Sequence, residues 1–117
     1  MVDGKLDPRI PVGCSMDFVI RLMSGRWTPH ILWALANNGP TRFGELRRLM
    51  PGKASPKAMS ERLQKMEAEG LVHRHAEPSK PPEVTYSLTD RGRDTNEILR
   101  SMHRVAERWG ESAKPHD

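Results

Sequence analysis

The sequence predicts a mainly α-helical domain with one small β-hairpin, and three observations predict it. Apolar residues recur at helical spacing behind two cap-plus-proline starts, Thr28-Pro29 and Ser55-Pro56; the period drops to two after Gly70; and it returns to helical between Ile98 and Trp109. At 117 residues the chain is the size of one domain. Only 36% of it is hydrophobic and six residues are aromatic, so the core is thin or shared with a second copy.

Residues 1–13 combine Pro, Gly and charge without an apolar period and are expected to form a flexible arm. From Ser15, the expected N-cap, Met16, Val19, Ile20 and Met23 keep helical spacing until Gly25 stops the helix. Thr28 places a capping hydroxyl ahead of Pro29, and Ile31, Leu32, Leu35 and Ala36 follow before Gly39. Phe43, Leu46, Leu49 and Met50 mark a short third helix that Pro51-Gly52 ends. Ser55-Pro56 then starts a fourth, which buries Met59, Leu63 and Met66 and presents Lys57, Ser60, Glu61 and Gln64 on its opposite face. Two short helices across a Gly-containing turn make a helix-turn-helix candidate.

Leu71 to Glu77 and Glu83 to Leu88 read as two strands, the second with Val84, Tyr86 and Leu88 on one face. In Pro78-Ser79-Lys80-Pro81-Pro82 between them the three prolines lack donors and fix the backbone, which makes a stiff, extended tip. Thr89 caps a last helix with Asp90 in its first turn, and the stripe Ile98, Met102, Val105 and Trp109 carries it to Gly110, leaving 111–117 as a tail. The order is that of a winged helix-turn-helix over 14–110 with helical additions at its N- and C-terminal ends.

Charge is localised. Between Arg42 and Met66 seven basic residues face two acidic ones, whereas residues 83–117 carry six basic and seven acidic. A basic middle block points to an anionic partner, with a plain solvated face as the alternative. The single cysteine, Cys14, has no intrachain disulfide partner, and no apolar run of membrane-spanning length is present. The first residues also lack a signal-peptide core, so a cytoplasmic protein is expected, nucleoid-associated when bound to DNA, with no membrane partner.

Several blocks in this order are similar to one family: Gly25-Arg26-Trp27-Thr28, Ile31-Leu32, Arg42-Phe43-Gly44-Glu45-Leu46, Ser55-Pro56-Lys57, Arg62-Leu63, Glu69-Gly70-Leu71-Val72, the run Pro81 to Thr89, and Arg91-Gly92. The chain resembles the HxlR-type branch of MarR-like bacterial transcriptional regulators across residues 14–110. The resemblance implies a homodimeric winged helix-turn-helix protein that binds double-stranded DNA and has no catalytic activity. The family usually has Cys-Pro where this chain has Cys14-Ser15, and a basic residue is common where Glu83 stands.

The helix from Pro56 to Glu69 is the expected reading head, because a helix of about 10–12 Å diameter fits the major groove. Ser55, Lys57, Ser60, Glu61, Gln64 and Lys65 are its candidate contacts, with Gln64 suited to an adenine edge and Lys57 to guanine or phosphate. Arg42, Arg47, Arg48, Lys53 and Arg62 are candidate DNA-backbone contacts, Arg62 with a second, bracing role. Arg74, Ser79 and Lys80 belong to the wing, unless that loop only aids solubility. Met16, Val19, Ile20, Ile98, Met102, Val105 and Trp109 are expected to make the dimer interface.

Cys14 matches the position that some relatives use as a redox or electrophile sensor, although Ser15 and Asp17 beside it supply no positive charge, and a reduced, part-buried thiol is the competing reading. His73 and His75 share one side of a strand with no further ligand at metal spacing, so neither metal nor cofactor is expected. No nucleophile-and-base pair or phosphate loop stands out. The expected function is a homodimeric, sequence-specific repressor on a pseudo-palindromic operator, with a response to redox or electrophile stress through Cys14 as a further expectation. A winged-helix module binding an acidic protein is the alternative.

Overall fold

The computed structural model describes residues 8–10, 12–79 and 81–110. Its elements are α1 (Ser15–Met23), α2 (Thr28–Asn38), β1 (Thr41–Arg42), α3 (Phe43–Arg48), α4 (Pro56–Ala68), β2 (Val72–Glu77), β3 (Glu83–Leu88) and α5 (Asp90–Arg108). The tail 111–117 and most of the arm 1–13 lie outside the described residues.

Local chemistry accounts for α4 at both ends. The Ala58 N–H donates to Ser55 Oγ at 3.1 Å, and Pro56 occupies the first turn, where a missing N–H costs nothing. At the other end Gly70 takes φ +77°, so that Leu71 N–H reaches Met66 O and Gly70 N–H reaches Glu67 O. That pair of bonds closes the helix in a Schellman motif and turns the chain into β2. Leu71 is thereby held in the turn, and the strand begins one residue later than periodicity predicts. Met59, Leu63 and Met66 are fully buried, as the helical stripe requires.

Two caps differ from expectation. α1 is capped by Cys14, whose Sγ accepts from the Asp17 N–H at 3.4 Å, rather than by Ser15, which is already helical. Asp17 in turn accepts from the Gly13 N–H. That bond first, then Arg21 by hydrogen bond and charge, outweighs desolvation and holds the carboxyl below its ordinary value. Thr28 is likewise not the cap of α2. The cap is Trp27 at φ 64°, with no side-chain cap bond, while Thr28 is fully buried.

The sheet is three-stranded, in the order β1-β3-β2, and antiparallel throughout. β1 is the strand that the sequence does not reveal, because two residues are too short to show a period. Thr41 pairs with Tyr86 and Arg42 with Thr85, which ties the start of α3 to the hairpin. β2 and β3 pair from Val72↔Leu88 to Glu77↔Glu83, so Val72, Tyr86 and Leu88 line the core face. Ile31, Leu32, Leu46, Met59, Leu63, Met66 and Leu71 fill the centre of the core.

α5 joins this core by a face the apolar stripe does not mark. Gly92, Thr95, Asn96 and Leu99 are its buried residues, while Ile98, Met102 and Trp109 are 41%, 58% and 73% exposed. Among the described residues, the exposed large hydrophobics are Ile10, Val12, Met16, Phe18, Ile20, Leu49, Ile98, Met102 and Trp109. All but Leu49 lie in the N-terminal segment or on α5 and its C-terminal cap, and Leu49, one of the apolar positions that mark α3 in the sequence, lines a groove beside α2.

Candidate nucleic-acid interface

α4 presents Lys57, Ser60, Glu61, Gln64 and Lys65 to solvent, with its buried stripe fixing which side faces out. Their rotation about the helix therefore follows from the packing of Met59, Leu63 and Met66. Ser55 is exposed, and its hydroxyl is engaged as the cap.

The predicted backbone cations fall into three groups. Arg47, Arg48, Lys53 and Ser55 gather around a shallow cleft of about 350 Å³ at the turn leading into α4. Within it, Arg47 Nη1 donates to Ala54 O at 3.0 Å and braces that turn, while Arg48 pairs with Glu45 at 2.9 Å. Arg42 lies apart, in a 2.9 Å ion pair with Glu83, where β3 leaves the tip of the hairpin. Both pairs are largely exposed, so exchanging a carboxylate for a phosphate costs little.

Arg62 forms the third group and has the bracing role. A Cβ added to Gly25 would sit 2.6 Å from Thr28 Oγ1 and closer still to Arg62 Nη1. The Arg62 guanidinium therefore fills the space that glycine leaves, locking α4 to the α1–α2 turn. In the same turn the Arg26 guanidinium lies 4.2 Å from the centroid of the Trp27 ring. Arg26, Trp27, Ala58, Glu61, Arg62 and Lys65 line a second cleft, of about 320 Å³. Arg26 was invisible as a site residue in the sequence because 30 or more positions separate it from the helix it faces.

The wing is formed by β2, β3 and their connection. Ser79 stabilises it by donating its N–H to Glu77 O and its hydroxyl to Pro81 O, each at 2.8 Å. Lys80 lies outside the described residues. Arg74 pairs with Tyr86 in the ladder, on the same sheet face as Val72, and is exposed. His73 and His75 occupy the opposite face, His75 3.2 Å from Glu77. Among the described residues, no three His, Cys, Asp or Glu side chains are grouped to hold a metal ion.

Away from α4, a groove of about 710 Å³ runs between α2 and α5, walled by Trp33 and His103 with ring centroids 5.5 Å apart. Cys14 is half-buried at the start of α1. Among the described residues, no helix is long and apolar enough to cross a membrane.

A model of the HxlR-like helix-turn-helix family matches residues 22–114. The HTH-type transcriptional regulator sll1512 of Synechocystis sp. is 34% identical over 111 residues, covering 93% of this chain and 81% of that one. Among solved structures, the reduced form of the transcriptional regulator YodB from B. subtilis is 30% identical, with a TM-score of 0.68 over 89% of this chain and 98% of that one. The redox regulator HypR in its oxidized form is 32% identical, with a TM-score of 0.70 over 80% of this chain and 95% of that one. The architecture these structures share with the chain is the winged helix-turn-helix.

Proposed function

The chain belongs to the HxlR-like helix-turn-helix family of DNA-binding transcriptional regulators, which are not enzymes, and from that premise we propose that it represses transcription as a homodimer on a pseudo-palindromic operator. The observation that carries this reading is α4, whose short polar side chains Ser60 and Gln64 stand exposed beside Lys57 and between two basic clefts. Such a face can approach base edges in a major groove while the clefts take phosphates. Arg42, Arg48 and Lys53 position the backbone, and Arg74, Ser79 and Lys80 bring the wing alongside. Two-fold symmetry places the half-sites about 34–36 Å apart, or a multiple of that.

The partner copy is assigned to the terminal helices. Met16, Val19 and Ile20 of α1 and Ile98, Met102, Val105 and Trp109 of α5 supply the apolar surface, and exposed patches of this kind mark association sites. The protein acts in the cytoplasm and is nucleoid-associated when bound to its operator.

Selection of binding fragments from a genomic library tests the reading directly. A motif with two-fold symmetry is expected, and Lys57→Ala combined with Gln64→Ala should lower affinity for it by about 1–3 kcal/mol for each base pair no longer read. Recovery of no symmetric motif, or unchanged duplex affinity in the double variant, overturns it.

Cys14 is the proposed sensor. It is the chain's sole thiol and half-buried, and HypR, a relative of this fold, is a redox regulator. Treatment with diamide or a quinone is expected to change DNA affinity in the parent and to leave Cys14→Ser unaffected. Equal responses in the two proteins remove the sensor.

A further inference from the structure

We infer that the cleft between Arg26 and Lys65 seats one phosphodiester of the DNA backbone, with Arg26, outside the helix-turn-helix, as its principal ligand. The inference rests on the operator reading above and adds a contact to it.

The stripe Ala58, Glu61, Arg62 and Lys65 runs along α4 at helical spacing and faces the α1–α2 turn. Lys57, Ser60 and Gln64 point away from the core. A helix is about 10–12 Å across with its side chains, and the major groove is about 12 Å wide. When the outward face enters the groove, this stripe lies against a groove wall, and that wall is phosphate. Arg62, the arginine nearest it on α4, is already committed to the space above Gly25. Lys65 and Arg26 remain exposed at the cleft, and neither makes an ion pair with a described residue.

Arg26 is also held ready. Its guanidinium stacks on Trp27, whose ring is buried and whose backbone, at φ 64°, is the one positive-φ non-glycine position among the described residues. With its carbon over that ring and no hydrogen bond or ion pair to a described residue, the guanidinium keeps N–H groups for a phosphate, which it can take in two parallel bonds. An unfavourable backbone at Trp27 persists only where its surroundings enforce it, and such positions concentrate at binding sites. Here it sets the ring under Arg26 at the edge of α4. Glu61 shares the cleft, but three cations outnumber it, and its carboxylate is suited to a cytosine amino group.

The test is the salt dependence of binding to the selected operator and to a random duplex of equal length. Each phosphate neutralised contributes about −0.9 to the slope of log affinity against log salt. Arg26→Ala is expected to make that slope shallower by about 0.9 per bound protomer and to weaken both duplexes alike, since phosphate contacts carry no sequence information. Arg26→Lys should restore the slope even if Arg26→Ala lowers the melting temperature, which separates a charge contact from a structural role. Arg104→Ala on α5 removes the same charge away from α4 and should leave the slope as in the parent.

A parent slope in Arg26→Ala, or an equal drop in Arg104→Ala, overturns the phosphate site and leaves the operator reading standing. Failure of the parent to bind any duplex overturns both.

Discussion

Ile98→Glu combined with Met102→Glu is expected to convert the proposed dimer to a monomer and to lower its affinity for the full operator by about 10²–10⁴-fold. The size follows from linkage: once one protomer is bound, its partner meets the second half-site at a high effective concentration, and a monomer loses that gain. The two side chains are 41% and 58% exposed, so the charges do not strain the protomer's own core. In the dimer they would be buried without partners, which is costly. Sedimentation velocity reads the assembly state, circular dichroism the protomer, and titration on whole and half operators the coupling. A double variant that stays dimeric would show that α5 is not the interface.

The largest expected loss of stability comes from a glycine. Gly92→Val should cost about 3 kcal/mol or more, at the upper end of what overpacking a core position does. A Cβ at Gly92 would press into the Leu71 carbonyl oxygen, which is backbone and cannot swing aside, and lie 3.1 Å from Leu88 Cδ2. The same Leu71 carbonyl accepts the Thr89 N–H at 3.1 Å, and Thr89 Oγ1 reaches Gly70 O, so the start of α5 is bound tightly to the α4–β2 turn. Helix propensity favours replacing a glycine by up to about 1 kcal/mol and is outweighed here. Thermal denaturation should show a melting temperature lower by about 12 °C or more, taking about 4 °C per kcal/mol as the lower bound for a domain near this size. A midpoint equal to the parent's would mean that α5 can move off the hairpin.

These three positions illustrate how much is legible in the chain. Ser55, Pro56, Met59, Leu63, Met66 and Gly70 define α4 through nearest-neighbour chemistry and period, and the structure bears them out. β3 matches its expected bounds for the same reason. The Ile98 to Trp109 stripe was legible as an apolar face, but periodicity does not say whether such a face meets the protomer's own core. Leu99, Asn96 and Thr95 meet it instead. Gly92 carried no signal of its close approach, because the atoms it meets lie 21 and four positions away.

At the reading head the division is the same. The sequence by itself determined the fold class, the bounds and buried stripe of α4 and the concentration of positive charge in the middle third, since these follow from side-chain type and local spacing. Only the tertiary structure decided which cations are available: Arg42 and Arg48 sit in exposed ion pairs, Arg47 and Arg62 brace turns, and Arg26 arrives at α4 from a turn far away in sequence. The physical reason is range. Periodicity and capping act over three or four residues, whereas a charge is engaged or free according to what the fold brings within about 4 Å of it.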